Sequence, residues 1–302
     1  MKLRHLILCL CSCFAAVHGA EPTPAKNAAV LTPQQAQYPE NIVMLRTDAA
    51  GREGLCTPIA RYKDAEGRIV DLVGAIHLAD ARYYRGLNRI FGRYDKVLYE
   101  MVDGEDLPEV VRLERKVQAG TATPEEVERL KRYNASRKSG MGAGMLSAYY
   151  SHMASAMGLA LQTELVDYGR ENLVYADMSS SEFAAAMAER GETWFTLVLD
   201  SLRDGSGKRI SLFSSVTPDG LKRMLCEQLV GSSKGSHSEG RAIIIARNER
   251  CFEVLDRLLA QDFTARRMAI FYGAMHLRDM HARLLQRGFT LQGVQWVTAI
   301  RL

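Results

Sequence analysis

The chain has 302 residues, of which 39 are Lys or Arg and 35 are Asp or Glu, and its formal net charge at pH 7 is +4. This length suits one large domain or two small ones, and 47% hydrophobic residues are sufficient for a substantial core. A charge balance this close to neutral gives no argument for nucleic-acid binding, which usually needs a clustered basic face.

The first twenty residues have the composition of a secretory signal. Lys2 and Arg4 give a basic start, and the apolar stretch Leu6–Val17 precedes small residues that end at Ala20. We therefore expect an exported protein, periplasmic or secreted, that is cleaved near Ala20. A lipoprotein signal with Cys13 acylated is the alternative. No later stretch is apolar over the length that a transmembrane helix needs.

After the signal, the composition divides the chain into a lead-in and a domain. Residues 21–40 are rich in Ala, Pro, Thr and Gln, which is typical of a flexible segment, and the domain follows at 41–302. Three cysteines remain in the domain, at positions 56, 226 and 251. In an oxidising compartment two of them could form one disulfide, and the sequence does not choose the pair.

The first half of the domain alternates predicted strands and helices. Apolar β-branched runs indicate strands, and charged runs with a Thr-Pro-Glu-Glu start indicate helices. The predicted elements are strands at 41–46, 56–62 and 68–73, a helix at 79–91, a strand at 95–101, and helices at 107–118 and 124–138.

One phrase occurs twice, each time between an apolar run and a helix-like stretch. Residues 73–80, Val-Gly-Ala-Ile-His-Leu-Ala-Asp, recur at 272–279 as Tyr-Gly-Ala-Met-His-Leu-Arg-Asp. Glycine at the turn allows a positive φ or a close backbone approach. Each copy predicts a strand, a tight turn, a histidine and a helix. Because open α/β sheets bind ligands at the carboxyl ends of strands, we expect His77 and His276 to meet in one cleft.

Two predicted strands end in a carboxylate. Glu100 closes the strand at 95–101, and Asp177 follows a short strand at 172–176. With right-handed crossovers these ends lie at the same sheet edge as His77. Either acid alone would be interpreted as an exposed salt-bridge partner, but their position beside His77 predicts a shared site.

The second half continues in the same manner, with a capping box at Ser179–Glu182 opening a helix. A long helix-compatible segment contains Arg247, whose planar guanidinium suits a carboxylate or an oxyanion. The remaining predictions are helices at 193–202, 219–230, 241–260 and 277–286, a flexible loop at 231–238, a strand at 268–272, and one or two edge strands at 289–301.

The two Gly-x-x-His phrases, the strand-end Glu100 and the pair Arg247-Asn248 resemble the TraB/PrgY/GumN family of the TIKI superfamily. That superfamily also takes in erythromycin esterases and ChaN-like haem-uptake lipoproteins. The resemblance covers the chain from about Asn41 to its end. It implies an α/β fold of two pseudo-symmetric strand–GxxH–helix halves, which form a mixed sheet flanked by helices and carry a helical insertion at 107–161.

Two positions depart from the family pattern. The family often has an acidic residue before the Arg-Asn pair, where this chain has Ala246. It usually places a Glu after the middle strand, where the shorter Asp177 stands here. A shorter acid would change the geometry of a metal site.

These residues suggest a metal-dependent hydrolase. His77 and His276 would supply imidazole nitrogens, with Glu100 and Asp177 as carboxylates, a set that suits Mn, Co, Fe or Zn better than Ca or Mg. An open coordination position would lower the pKa of a bound water. Arg247 would stabilise negative charge on the attacked carbonyl. The resemblance implies that peptide bonds are cleaved, because TIKI proteins are described as metal-dependent proteases; a small-molecule substrate stays open.

Two alternatives use the same cleft. In a metal-free hydrolase, like the erythromycin esterases, His77 or His276 would be the general base on water and Glu100 would orient it. In a non-enzymatic protein the cleft would bind haem or another ligand, such as a pheromone, with His and Tyr as haem ligands. The tyrosines close to the first phrase are at positions 83, 84 and 99.

Overall fold

The computed structural model describes residues 38–136, 150–189, 217–234 and 241–302. The predicted signal at 1–20, most of the lead-in and the predicted helix at 193–202 lie outside these residues. Seven strands form one mixed sheet that is flanked by helices, which confirms the predicted α/β class.

The elements follow one another largely as the sequence predicts. The strands are β1 (Met44–Thr47), β2 (Glu53–Lys63), β3 (Ile69–Ala75), β4 (Leu78–Ala79), β5 (Lys96–Tyr99), β6 (Ala160–Leu161), β7 (Leu173–Tyr175), β8 (Arg267–Gly273) and β9 (Thr290–Arg301). The helices are α1 (Ala81–Phe91), α2 (Leu107–Gln118), α3 (Pro124–Ser136), α4 (150–157), α5 (Gln162–Leu165), α6 (Ser180–Ala188), α7 (Pro218–Lys234), α8 (Arg241–Gln261) and α9 (Leu277–Gln286).

The sheet has an antiparallel side and a parallel side. β2 pairs antiparallel with β9 on one flank and with β1 and β3 on the other. From β3 onward the order is β3, β8, β5, β7, and these four strands are parallel. The two strands that carry the repeated phrase, β3 and β8, are therefore neighbours, and their carboxyl ends lie at one edge of the sheet.

Alternate side chains of the central strands pack into two different hydrophobic clusters. In β8, Ala269 and Phe271 join the cluster that contains Tyr84 and Leu87 of α1. The intervening residues of β8, Met268, Ile270 and Tyr272, join the cluster of α8 and α9. Because successive side chains of a strand point to opposite faces, the sheet is covered by helices on both faces. The helices that follow the two phrases, α1 and α9, pack on opposite faces.

Some boundaries differ from the predictions. The predicted loop at 231–238 is wrong at its start, because α7 continues to Lys234. The predicted flexible lead-in ends earlier than residue 40, because Tyr38 is 3% exposed and packs against His281 of the folded domain. The segment at 289–301 is one strand, β9, at the edge of the sheet. In the described residues no helix combines the length and apolar character needed to span a bilayer.

The three cysteines of the domain are all buried and free. Burial raises the pKa of the Cys226 thiol to about 12, so this thiol is protonated at neutral pH. None of the three forms the disulfide that an oxidising compartment would permit.

The end of the segment predicted as a helical insertion lies beside the residues that directly follow the first histidine. β6, at the end of the insertion, pairs antiparallel with β4, matching Leu78 with Leu161 and Ala79 with Ala160. The backbone N–H of Gln162 then donates to the carbonyl oxygen of His77 at 3.0 Å. The insertion is thus anchored beside His77.

Gly74, in the first phrase, is needed for close packing and not for a positive φ. An alanine Cβ there would lie 3.0 Å from Leu277 Cδ2 and 3.1 Å from Pro58 Cδ. The proline ring cannot rotate away, and Leu277 is fully buried. We expect Gly74→Ala to lower the free energy of unfolding by about 1–3 kcal/mol in urea denaturation.

The matched control is Gly231→Ala in α7, where no heavy atom lies within 4 Å of the new Cβ. This change should be neutral or stabilising by up to about 1 kcal/mol, because alanine is the better helix former. Equal effects of the two substitutions would contradict the packing argument.

Candidate functional site

Four adjacent parallel strands each deliver one of the predicted site residues. His77 follows β3, His276 follows β8, Glu100 follows β5 and Asp177 follows β7. The side chains therefore occur along the sheet edge in the order His77, His276, Glu100, Asp177, with neighbouring strands about 4.8 Å apart. α8 crosses this edge and supplies Arg247.

Arg247 lies between the two carboxylates and is fully buried. Its Nε and Nη2 donate to the two carboxylate oxygens of Asp177, at 2.9 and 2.5 Å. The same Nη2 lies 2.8 Å from Glu100 Oε1. Such bidentate pairing fixes the guanidinium plane and leaves it little freedom. The structure thus gives Asp177 a different partner from the predicted metal ion, since both of its oxygens are used by Arg247.

Glu100 is held from the other side by the backbone of the second phrase. Gly273 N–H donates to Glu100 Oε2 at 2.5 Å, and Glu100 is 1% exposed. Burial alone would raise the pKa of Glu100, but Arg247, the two histidines and the Gly273 N–H together hold it well below its usual value. Glu100 is therefore a buried carboxylate anion at neutral pH.

The tautomer of His276 is set by Asn248. Nδ2 of Asn248 donates to Asp279 Oδ2 at 2.8 Å, and that carboxylate also accepts from Arg283 Nε at 2.6 Å. Because a carboxylate at neutral pH only accepts, the amide must present its oxygen to His276. Asn248 Oδ1 lies 2.6 Å from His276 Nδ1, which must then carry the proton. The other ring nitrogen, Nε2, is left with its lone pair.

That lone pair faces Glu100. His276 Nε2 lies 3.5 Å from Glu100 Oε1 and has no hydrogen-bond partner in the part of the chain that the structure describes, while Glu100 Oε1 is in ion-pair contact with Arg247 Nη2 at 2.8 Å. Both atoms are acceptors, so nothing in this pair supplies the proton that a hydrogen bond needs. A buried imidazole nitrogen that lacks a donor is costly unless a cation or a water contacts it.

His77 brings a second buried imidazole nitrogen to the site. Its Nε2 is buried and has no hydrogen-bond partner among the described residues. The ring makes an edge contact with Tyr150 of α4, with centroids 6.2 Å apart. Burial lowers the pKa of His77, Glu100 opposes this shift, and Arg247 adds to it. His77 thus belongs to the same electrostatic environment as the other site residues.

Both histidines are neutral at pH 7. For His276, burial lowers the pKa to about 4, which the nearby Glu100 carboxylate only partly opposes. An imidazole with so low a pKa keeps its lone pair available across the physiological range. As a general base at neutral pH it is weak, because an effective base has a pKa near the working pH.

The tyrosines considered as haem ligands are used inside the fold. The hydroxyl of Tyr83 donates to Gly74 O at 2.8 Å, and that of Tyr84 donates to Ile76 O at 2.8 Å. The hydroxyl of Tyr99 donates to Gly104 O at 2.5 Å. All three side chains are buried, so none of them is presented to a ligand in the cleft.

Asp279 and Gln162 have roles that the residue patterns did not assign. Asp279 is one of the matched positions of the repeat, and that match was the signal that could have identified it. Asn248 directly follows Arg247 in the Arg-Asn pair that resembles the family pattern. Its contact with His276, however, depends on how α8 crosses the sheet edge. No local sequence pattern identifies Gln162 as a site residue.

Within the described ranges, no three His, Cys, Asp or Glu side chains lie close enough together to hold a metal ion as they stand. The chain matches none of the family models, curated proteins or solved structures with which it was compared.

The metal-free protein should lose stability as the pH falls from 6.5 to about 4. In this window the unfolded chain binds a proton on residue 276 that the folded chain does not, so the free energy of unfolding decreases. Urea denaturation with a chelator present should show this decrease, and His276→Gln should show a smaller one.

The control for this experiment is His152→Gln, because His152 is exposed on α4. It should keep the wild-type pH dependence. An equal decrease in His276→Gln and in the wild type would contradict a buried neutral imidazole at position 276.

Proposed function

We propose that the protein is an exported, metal-dependent hydrolase of the TraB/PrgY/GumN type that cleaves peptide bonds. One observation carries the proposal: the buried acceptor His276 Nε2 has no donor among the described residues and lies 3.5 Å from the carboxylate oxygen Glu100 Oε1. The export and the family rest on the sequence features described above.

Two of the proposed ligand atoms, His276 Nε2 and Glu100 Oε1, have the spacing of ligands on a divalent transition metal. Two ligand atoms of a tetrahedral ion, each about 2.1 Å from it, are roughly 3.4 Å apart, close to the 3.5 Å seen here. His77 Nε2, at the end of the neighbouring strand, is the third ligand in this proposal. Two imidazoles and one carboxylate suit Mn, Co or Zn. Asp177 is left out of the ligand set because Arg247 uses both of its oxygens.

The charges also favour a cation. Glu100 and Asp177 bring two negative charges and Arg247 brings one positive charge, while both imidazoles are neutral at pH 7. These buried groups therefore carry a net negative charge, and burying an uncompensated charge is expensive. A bound cation would remove this cost.

Each site residue has a distinct role in this mechanism. Asn248 keeps the His276 lone pair directed at the site, and Gly273 N–H fixes Glu100. Arg247 forms an ion pair with Glu100 and partly compensates its negative charge. Asp177 fixes the orientation of the Arg247 guanidinium. A divalent metal held by His77, His276 and Glu100 would supply Lewis-acid chemistry, which lowers the pKa of a water in the site.

A metal-free hydrolase is less well supported by these groups. It needs a histidine that accepts a proton readily near pH 7, and burial lowers the pKa of both histidines. Haem binding is also less well supported, because Tyr83, Tyr84 and Tyr99 are committed to backbone carbonyls.

We expect purified protein reloaded with Co²⁺, Mn²⁺ or Zn²⁺ to retain about one ion per chain by mass spectrometry. His77→Ala, His276→Ala and Glu100→Gln should each remove most of this ion, because each loses a ligand atom. His281→Gln is the matched control, since His281 also lies on α9 but hydrogen-bonds Tyr62. A folded wild type that retains no ion would rule out the metal centre.

Metal-loaded protein should cleave members of a quenched fluorescent peptide library. Cleavage should stop in excess chelator and return when Co²⁺ or Mn²⁺ is added, and Glu100→Gln should reduce it to background. His281→Gln should keep the wild-type rate. Cleavage that persists after complete metal removal would instead favour the metal-free hydrolase, and no cleavage of any peptide would contradict peptidase activity.

A further inference from the structure

A buried amide side chain lies beside His77. Gln162, which follows β6 of the insertion, is 4% exposed, and its backbone N–H donates to His77 O at 3.0 Å. Its Nε2 donates to Tyr168 OH at 3.0 Å. The other end of the amide, Oε1, is buried and has no hydrogen-bond partner in the residues that the structure describes.

The free amide oxygen and the His77 ring are close enough to influence each other. Burial lowers the pKa of His77, and Gln162 acts in the opposite direction, as an acceptor oxygen beside a ring N–H does. No hydrogen bond joins the two side chains in the structure, since Gln162 Oε1 has no partner among the described residues.

The arrangement repeats, around the first histidine, what Asn248 does around the second. Asn248 anchors its NH₂ on Asp279, offers its oxygen to His276 Nδ1 and donates to His276 O at 3.3 Å. Gln162 anchors its NH₂ on Tyr168, has its oxygen buried without a partner among the described residues and donates to the histidine carbonyl through its backbone. Two unrelated segments, the insertion and α8, thus present an amide to equivalent histidines.

We propose that Gln162 is the positioning residue of His77. Its Oε1 accepts a hydrogen bond from His77 Nδ1–H and so leaves the Nε2 lone pair facing the site. This inference deepens the proposed function and rests on it, because a directed lone pair at Nε2 is what a metal ligand requires. It also gives the insertion a function within the site, since the insertion sets the tautomer of the first histidine through Gln162.

The tautomer can be measured directly by ¹⁵N NMR on the chelator-treated protein, with ¹⁵N-labelled histidine and the His77 signals assigned from His77→Ala. The wild type should show protonated Nδ1 and unprotonated Nε2 for His77. Gln162→Met, which keeps the side-chain length, should lose this preference. Gln162→Glu, which keeps an acceptor oxygen, should retain it.

Thr163→Val is the control, because Thr163 is the next residue of α5 and its Oγ1 is also buried without a partner among the described residues. It should show the wild-type tautomer. Thermal unfolding of each variant identifies any that does not fold. A wild type with protonated Nε2, or an unchanged tautomer in folded Gln162→Met, would overturn the proposal.

Metal affinity separates this inference from the function on which it rests. Titration with Co²⁺ should show affinity lower by about 10–100-fold in Gln162→Met and unchanged in Thr163→Val. Wild-type Co²⁺ binding with no loss in Gln162→Met would overturn the role of Gln162 alone. The predicted tautomer change without any Co²⁺ binding would support Gln162 as the positioning residue and remove the metal centre.

Discussion

The site depends on the burial of one guanidinium between two carboxylates. Arg247 is fully buried, and its ion pairs with Asp177 and Glu100 join α8 to the carboxyl ends of β7 and β5. Removing Arg247 would leave two buried carboxylates without their cation, which is strongly destabilising. This triad has one negative charge in excess, which is the charge that the proposed metal ion would balance.

The sheet converts a repeated phrase into a shared site. β3 and β8 are adjacent and parallel, so the two copies of Gly-x-x-His end side by side. β5 continues the parallel order next to β8, which places Glu100 beside the second histidine. Asn248 and Gln162 come from the segments that pack over this edge, and each hydrogen-bonds one histidine of the pair, Asn248 through its side chain and Gln162 through its backbone N–H. The side chains of the site thus follow the ends of the strands, and the residues that contact them come from α8 and the insertion.

The sequence predicted the sheet class, the strand-end position of both histidines and the place of Glu100, because strand–turn–helix periodicity is local and parallel strand ends meet at one edge. It could not predict that Asp177 binds Arg247, since that pairing depends on the path of α8 across the sheet. The contact of Gln162 with His77 depends on the return of the insertion through β6, which no local pattern marks. The prediction of a loop from residue 231 was wrong, because α7 continues through a Gly-Ser-Ser stretch to Lys234.

The most direct test of the central claim is anomalous diffraction from a crystal of the mature protein soaked in Co²⁺. We predict one strong anomalous peak bounded by His77, His276 and Glu100, with Arg247 still bound to Asp177. A peak at Asp177 with Arg247 displaced would contradict the assignment of ligands. The absence of any peak between His276 and Glu100 in a well-ordered soaked crystal would contradict the metal centre itself.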